Sequence, residues 1–158
     1  MMKELDKKGK LILNIYKYGQ KHYGQSGFWH HFNYKVYKVL DIVFILGLFG
    51  SEIQVSQSIS SRIYLYHPYG IIINRNSVIG DGCIIRQQVT IGNKGIDYTE
   101  CPIIGENVEI GAGAKIIGNI KIGSNSKIGA NAVVTKSFPE NSILVGVPAR
   151  NISREIYG

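Results

Sequence analysis

The sequence predicts a mainly β protein: a parallel β-helix built from hexapeptide repeats, preceded by a short helical segment. Three observations carry that expectation. Ile104, Ile110, Ile116, Ile122, Ile128 and Val134 recur at a strict spacing of six. The same period holds upstream through Ile73, Ile79, Ile85 and Ile91, and again, across two extra residues, through Ile53, Ile59 and Leu65. Small residues such as Gly105, Gly111, Gly123 and Gly129 follow many of these positions, and Val108, Ala114, Ile120, Ser126 and Ala132 lie two residues before them. A period of six matches neither an amphipathic helix nor a two-faced strand. It matches a solenoid in which each hexad gives a short strand and a corner, with the aliphatic side chain pointing into a narrow core. Successive coils then stack at roughly the 4.8 Å strand spacing.

Length and composition fit one such domain. The chain has 158 residues, 44% hydrophobic and 18% charged, which excludes a disordered, solvating chain. Two cysteines are too few for a disulfide framework, and no CxxC or Cys/His cluster suggests zinc. The net charge of +7 is uneven: residues 1–50 carry 8 Lys against 3 acids. The remainder shows no basic stripe interleaved with aromatics, so nucleic acid is not the expected partner. The basic start lacks the pattern of a signal peptide, and a reducing cytoplasmic location is the expectation.

Taken in order, residues 1–50 form the helical segment, with helices expected over 3–23 and 29–49 around Gly24-Gln25-Ser26-Gly27. The uncharged run Ile42–Phe49 is far short of the ~20 apolar residues that span a bilayer. Two roles are open to this segment: capping the exposed end of the β-helix, or peripheral contact with an anionic membrane surface through its lysines and apolar run. Residues 51–140 form the β-helix, and 141–158 a tail, with Phe138-Pro139-Glu140-Asn141 turning the chain out of the last coil. The repeat breaks at Tyr66-His67-Pro68-Tyr69-Gly70 and again at Asn93–Cys101, a polar excursion. Breaks in a regular scaffold are where function tends to reside.

Of four histidines only His67 lies in the repeat body, at the first break and before a proline that favours an extended backbone. A neutral imidazole suits proton abstraction near pH 7. Glu52, 15 residues earlier, is nearly one coil back and placed to orient the ring. His30 and His31 sit among aromatics in the helical segment, where packing or surface roles are expected. Cys83 and Cys101 read as small buried thiols. One repeat-body histidine cannot build a zinc site, so no metal is expected.

These residues carry a resemblance. The hexads, the segment His67–Ile73, the run Ile110-Gly111-Ala112-Gly113-Ala114-Lys115-Ile116-Ile117-Gly118-Asn119-Ile120 and the ending Gly146-Val147-Pro148-Ala149-Arg150 resemble the hexapeptide-repeat acyltransferases. The serine acetyltransferase branch and its shorter sugar O-acetyltransferase relatives are the most similar. The resemblance implies a left-handed β-helix and homotrimers, with acetyl-CoA, the acyl donor, bound between subunits. It places His67 on the catalytic base and Glu52 on the acid that orients it. It places Ala112, Ala130, Thr135, Lys136 and Arg150 on positions that contact the cofactor. Departures also matter: Tyr66 and Thr99-Glu100-Cys101 stand where serine acetyltransferases carry an Asp before the histidine and an Asp-Arg-His run that holds the amino acid.

The resulting expectation is an O-acetyltransferase that moves acetyl from acetyl-CoA to a hydroxyl, on a small-molecule or glycan acceptor in surface-polysaccharide synthesis. Serine O-acetylation in cysteine synthesis is one alternative. A non-catalytic β-helix scaffold is the other.

Overall fold

The computed structural model describes residues 6–153. Helix α1 spans Lys7–His22 and α2 spans Phe28–Leu40, which runs directly into a π-helical stretch, Asp41–Leu48. The second expected helix, 29–49, is thus continuous, but its final two turns are wound wider. The first expected helix begins at Lys7; residues 3–5 of that expectation lie outside the described residues. The strands are short: β1 (Glu52–Ile53), β2 (Tyr64–Tyr66), β3 (Ile72–Ile73), β4 (Val78–Ile79), β5 (Ile84–Arg86), β6 (Thr90–Gly92) and β7 (Ile103–Ile104). They continue with β8 (Glu109–Ile110), β9 (Lys115–Ile117), β10 (Lys121–Ile122), β11 (Lys127–Ile128), β12 (Val133–Val134), β13 (Ile143–Val145) and β14 (Arg150–Asn151).

Three sheets make a prism, with orders β1-β3-β6-β9-β12, β4-β7-β10 and β2-β5-β8-β11-β13-β14. Every pairing is parallel except β13 with β14. Isolated bridges Ile59↔Ile79 and Ile122↔Phe138 extend the second sheet at both ends. All thirteen periodic aliphatic positions are buried, with Ile59, Ile73, Ile85, Ile91, Ile116 and Val134 fully so. Each buried isoleucine stabilises the prism by about 1.5–3 kcal/mol relative to exposure. The parallel ladder runs on through β13, beyond the expected boundary at 140. Phe138 therefore does not leave the last coil: it joins the second sheet, because its bridge to Ile122 continues that face. Residues 154–158 of the expected tail lie outside the described residues.

Left-handed backbone at two columns of residues turns the corners. One column stacks Gly82, Asn107, Asn125 and Asn141, joined by backbone bonds such as Asn125 N–H to the Glu106 carbonyl at 2.9 Å. Asparagine tolerates this conformation better than other non-glycine residues. The other column stacks Gly70, Gln88, Gly113 and Asn131.

Helix α1 lies across the first coil. It buries Ile12, Leu13, Ile15 and Tyr16, and its side chains pair the coil's backbone groups. Tyr16 Oη donates to the Ser56 carbonyl and accepts from the Ser56 N–H, both at 3.2 Å. Gln20 Nε2 donates to the carbonyls of Ser56 at 2.6 Å and Ile59 at 2.8 Å. Burial pushes the Tyr16 phenol up to about 12, so it stays a neutral donor. Gly9 permits this approach, because a Cβ there would fall on the Leu65 carbonyl oxygen of β2. The helix caps the β-helix end, one of the two roles left open by the sequence.

Candidate active site

Strand β2, in the third sheet, delivers His67 to the corner from which the chain passes to β3 in the first sheet. Its backbone is left-handed, with φ of +50°, rather than the extended form expected before proline. The chain must turn within Pro68–Gly70, and local bonds enforce that turn. Tyr69 N–H donates to the His67 carbonyl at 2.6 Å, and Gly70, at φ +64°, donates to the Phe49 carbonyl at 3.0 Å. The imidazole is presented outward, with 69% of its side chain exposed.

The carboxylate beside His67 is Asp6. Its Oδ2 accepts the His67 N–H at 2.6 Å and lies 3.8 Å from His67 Nδ1. Its Oδ1 accepts the Lys8 N–H at 3.0 Å, which makes Asp6 the N-cap of α1. Burial pushes this carboxyl up, but the His67 and Lys8 N–H groups and the charges beside it hold it below the usual carboxylate value. Glu52 does not make this contact. It is exposed, and accepts a hydrogen bond from Gln54 Nε2 at 2.7 Å. Among the described residues no ion pair joins it to His67. Asp6 is invisible to sequence reasoning because the contact spans 61 residues; its position before a helical pattern signals only a cap.

The sheet register places Ala112 and Ala130 at this corner, whereas Thr135 and Lys136 follow β12 at the next one. Tyr66 pairs with Arg86, Ile85 with Ile110, and Ile110 with Ile128. Extended by two residues, that register stacks Gln87, Ala112 and Ala130 in one column. Gln88 N–H donates to the Tyr69 carbonyl at 2.8 Å, so Tyr69 continues the column on the first coil and His67 loops out just before it. Ala112 is half-buried and Ala130 exposed, so neither side chain belongs to the buried core. The Gly146–Arg150 turn packs beside them: Val133 N–H donates to the Gly146 carbonyl at 3.0 Å, and Ala149 N–H to the Val133 carbonyl at 2.8 Å. Arg150 and Thr135 are exposed, and Lys136 Nζ lies 5.5 Å from the Phe138 ring centroid. Gln87, also missed from sequence, carries a buried Oε1 that lacks a hydrogen-bond partner.

The Asn93–Cys101 excursion stands off the prism, with Ile96 fully exposed. Asn93 Nδ2 ties it internally to the Gly95 and Tyr98 carbonyls at 2.6 and 2.7 Å. Cys83 and Cys101 are buried, and burial pushes the Cys101 thiol up, away from nucleophilic character.

Residues 101–136 match the family model described as Bacterial transferase hexapeptide (six repeats). The chain is 48% identical over 102 residues to the putative colanic acid biosynthesis acetyltransferase WcaB of Escherichia coli strain K12, covering 65% of this chain and 63% of that relative. It belongs to the hexapeptide-repeat transferases. Within the family it is also 40% identical over 108 residues to a serine acetyltransferase of Synechococcus elongatus, covering 68% of this chain and 44% of that one. A solved serine acetyltransferase from Brucella abortus, in complex with coenzyme A, superimposes with a TM-score of 0.77 at 31% identity, covering 92% of this chain and 56% of that one. The chain thus spans roughly half to under two thirds of the length of these hexapeptide-repeat relatives. No helix among its described residues is long and apolar enough to cross a membrane.

Proposed function

We propose that this chain is an acetyl-CoA-dependent O-acetyltransferase whose acceptor is a sugar hydroxyl, with His67 as general base. The observation that carries this reading is the pairing of His67 with Asp6 at a corner where the chain leaves the regular column. Asp6 faces Nδ1, which favours the tautomer with its proton on Nδ1 and leaves the Nε2 lone pair free. Nε2 takes the proton of the acceptor hydroxyl as its oxygen attacks the thioester carbonyl. The tetrahedral oxyanion collapses, the C–S bond breaks, and the imidazolium returns the proton to the departing CoA thiolate. Asp6 is a positioning residue, in the role that the family resemblance gives to Glu52.

The donor side rests on the column below His67. At roughly 4.8 Å per coil, Ala112 lies about 10 Å and Ala130 about 14 Å from His67 along the prism axis. The Arg150 turn follows. An extended pantetheine arm running down that column over two small side chains brings its thioester to His67 and its phosphates to Arg150 and Lys136, with Thr135 alongside. The relative WcaB, assigned to colanic acid synthesis, favours a sugar acceptor. The exposed Glu100 in the excursion also disfavours an amino-acid carboxylate. In this reading the enzyme is a homotrimer with sites between subunits.

The test is CoA-thiol release by the full chain from acetyl-CoA, with glycosides and with free serine as acceptors. Sugar-dependent release supports the reading. Release with serine alone replaces it by serine O-acetylation, and no acetyl-CoA binding favours a scaffold.

A further inference from the structure

A cavity of about 310 Å³ opens between α1 and the stretch of the first coil that leads into β2. Its rim is basic and polar, with Lys10, Asn14 and Lys17 on the helix side and Arg62 on the coil side. Leu13 and Ile63, both buried, form its apolar floor. Lys10 and Lys17 are seven residues apart, two helical turns on one face, or roughly 10 Å. Asp81 pairs with Arg62, and the Arg62 and Ser60 hydrogen bonds hold its carboxyl below the usual carboxylate value. Among the described residues no carboxylate lies within 4 Å of Lys10 or Lys17. Lysines on a convex helix face are ordinarily solvated; two of them flanking a concave cleft can together hold an anion, facing an Arg62 that Asp81 already pairs.

The position of the cleft says which anion. Gly82 N–H bonds the Arg62 carbonyl at 2.9 Å, so the cleft sits at the Asn107 corner. His67 and the Ala112–Ala130 column lie at the other corner, and β2 spans the distance between them. The donor column therefore descends from one end of β2, while the cleft opens at the other end. Helix α1 runs alongside, from Asp6 against His67 to the cleft lysines. From His67 back to Tyr64 is about 10 Å of strand. That is the reach of one sugar ring with a phosphate on its anomeric carbon.

We infer that this cleft binds the diphosphate of an activated sugar, so that the acceptor is a glycosyl diphosphate whose ring hydroxyl reaches His67. The inference rests on the acetyltransferase reading for its meaning, but the cleft can be tested without turnover. The diphosphate can belong to a nucleotide or to a lipid carrier.

The first probe is inorganic pyrophosphate, titrated calorimetrically into the full chain and into the double variant Lys10→Gln/Lys17→Gln, with CoA titrated in parallel. Both lysines are exposed, so the variant is expected to melt at the wild-type temperature. Pyrophosphate affinity should fall at least about tenfold while CoA affinity stays unchanged. Equal pyrophosphate affinity in both proteins overturns the inference, and a parallel fall in CoA affinity overturns it by assigning the cleft to the donor. The second arm measures acetylation of UDP-glucose and of methyl glucoside. A rise in KM for UDP-glucose alone, at constant kcat, supports a nucleotide source. Unchanged UDP-glucose binding, with lost retention on vesicles containing undecaprenyl diphosphate, supports a lipid carrier. If the lysines govern pyrophosphate binding and no acceptor is acetylated, the cleft stands and the acetyltransferase reading falls.

Discussion

Asp6 separates two jobs that a pair of substitutions can pull apart. Asp6→Ala removes the N-cap of α1, worth about 1 kcal/mol, and leaves the His67 N–H without its protein acceptor, worth about 1 kcal/mol more at an exposed corner. The loss of about 2 kcal/mol lowers the melting temperature by about 4–8 °C for a chain of this size. Asp6→Asn keeps a good cap residue and one acceptor oxygen, so most of that stability returns. What it removes is the charge 3.8 Å from Nδ1. Two unit charges at that distance interact by about 1 kcal/mol in a water-like surrounding, and the exposed imidazole is close to that limit. The imidazolium formed during transfer loses that support, so kcat should fall about fivefold. Acid stability carries the same sign. The carboxyl's folded pKa is below its ordinary 3.8, so its contribution is fully present above that value and fades as pH falls through the lowered one. The assay is CoA-thiol release across pH beside thermal melting. Asp6→Asn with wild-type kcat refutes the pairing, most clearly if Glu52→Gln shows the loss instead.

Other outcomes follow from the same geometry. Gly9→Val should detach α1 from β2, because its Cβ meets the Leu65 carbonyl, and lower the melting temperature more than Lys10→Gln does. Ala112→Leu or Ala130→Leu should raise KM for acetyl-CoA with little change in melting; a large melting loss with unchanged cofactor affinity would put these side chains in the core. Deleting residues 1–49 should yield an aggregating chain, by light scattering, since Tyr16 and Gln20 no longer pair the Ser56 and Ile59 carbonyls. A soluble, fully active truncation that lost only vesicle binding would assign the segment to membrane contact.

The prism was legible because one physical demand, an aliphatic side chain at one inward position of each hexad, recurs at thirteen positions from Ile53 to Val134 and is interrupted at the breaks already described. The location of His67 was legible too, as a break in that repeat. Its conformation was not. The proline rule is local, whereas the corner is imposed by Tyr69, Gly70 and the distant Phe49 carbonyl. The turn at Phe138 misled for a related reason: proline after it reads as an exit, but the open edge of the second sheet offered Phe138 a ladder partner in Ile122. Asp6 and the lysine cleft depend on how α1 lies across the first coil. That docking is decided by Gly9 against Leu65, a contact no periodicity encodes. The Gln87 amide between Tyr69 and Ala112 emerges only once the register is known.

The central claim is that His67 removes a proton from an acceptor hydroxyl during acetyl transfer. Its most direct test is single-turnover transfer from radiolabelled acetyl-CoA by the His67→Ala chain, with acetyl-CoA affinity and melting measured on the same sample. The account predicts a fall of about 10²–10⁴-fold in the transfer rate with affinity and melting unchanged. Near-normal transfer by that variant would contradict it.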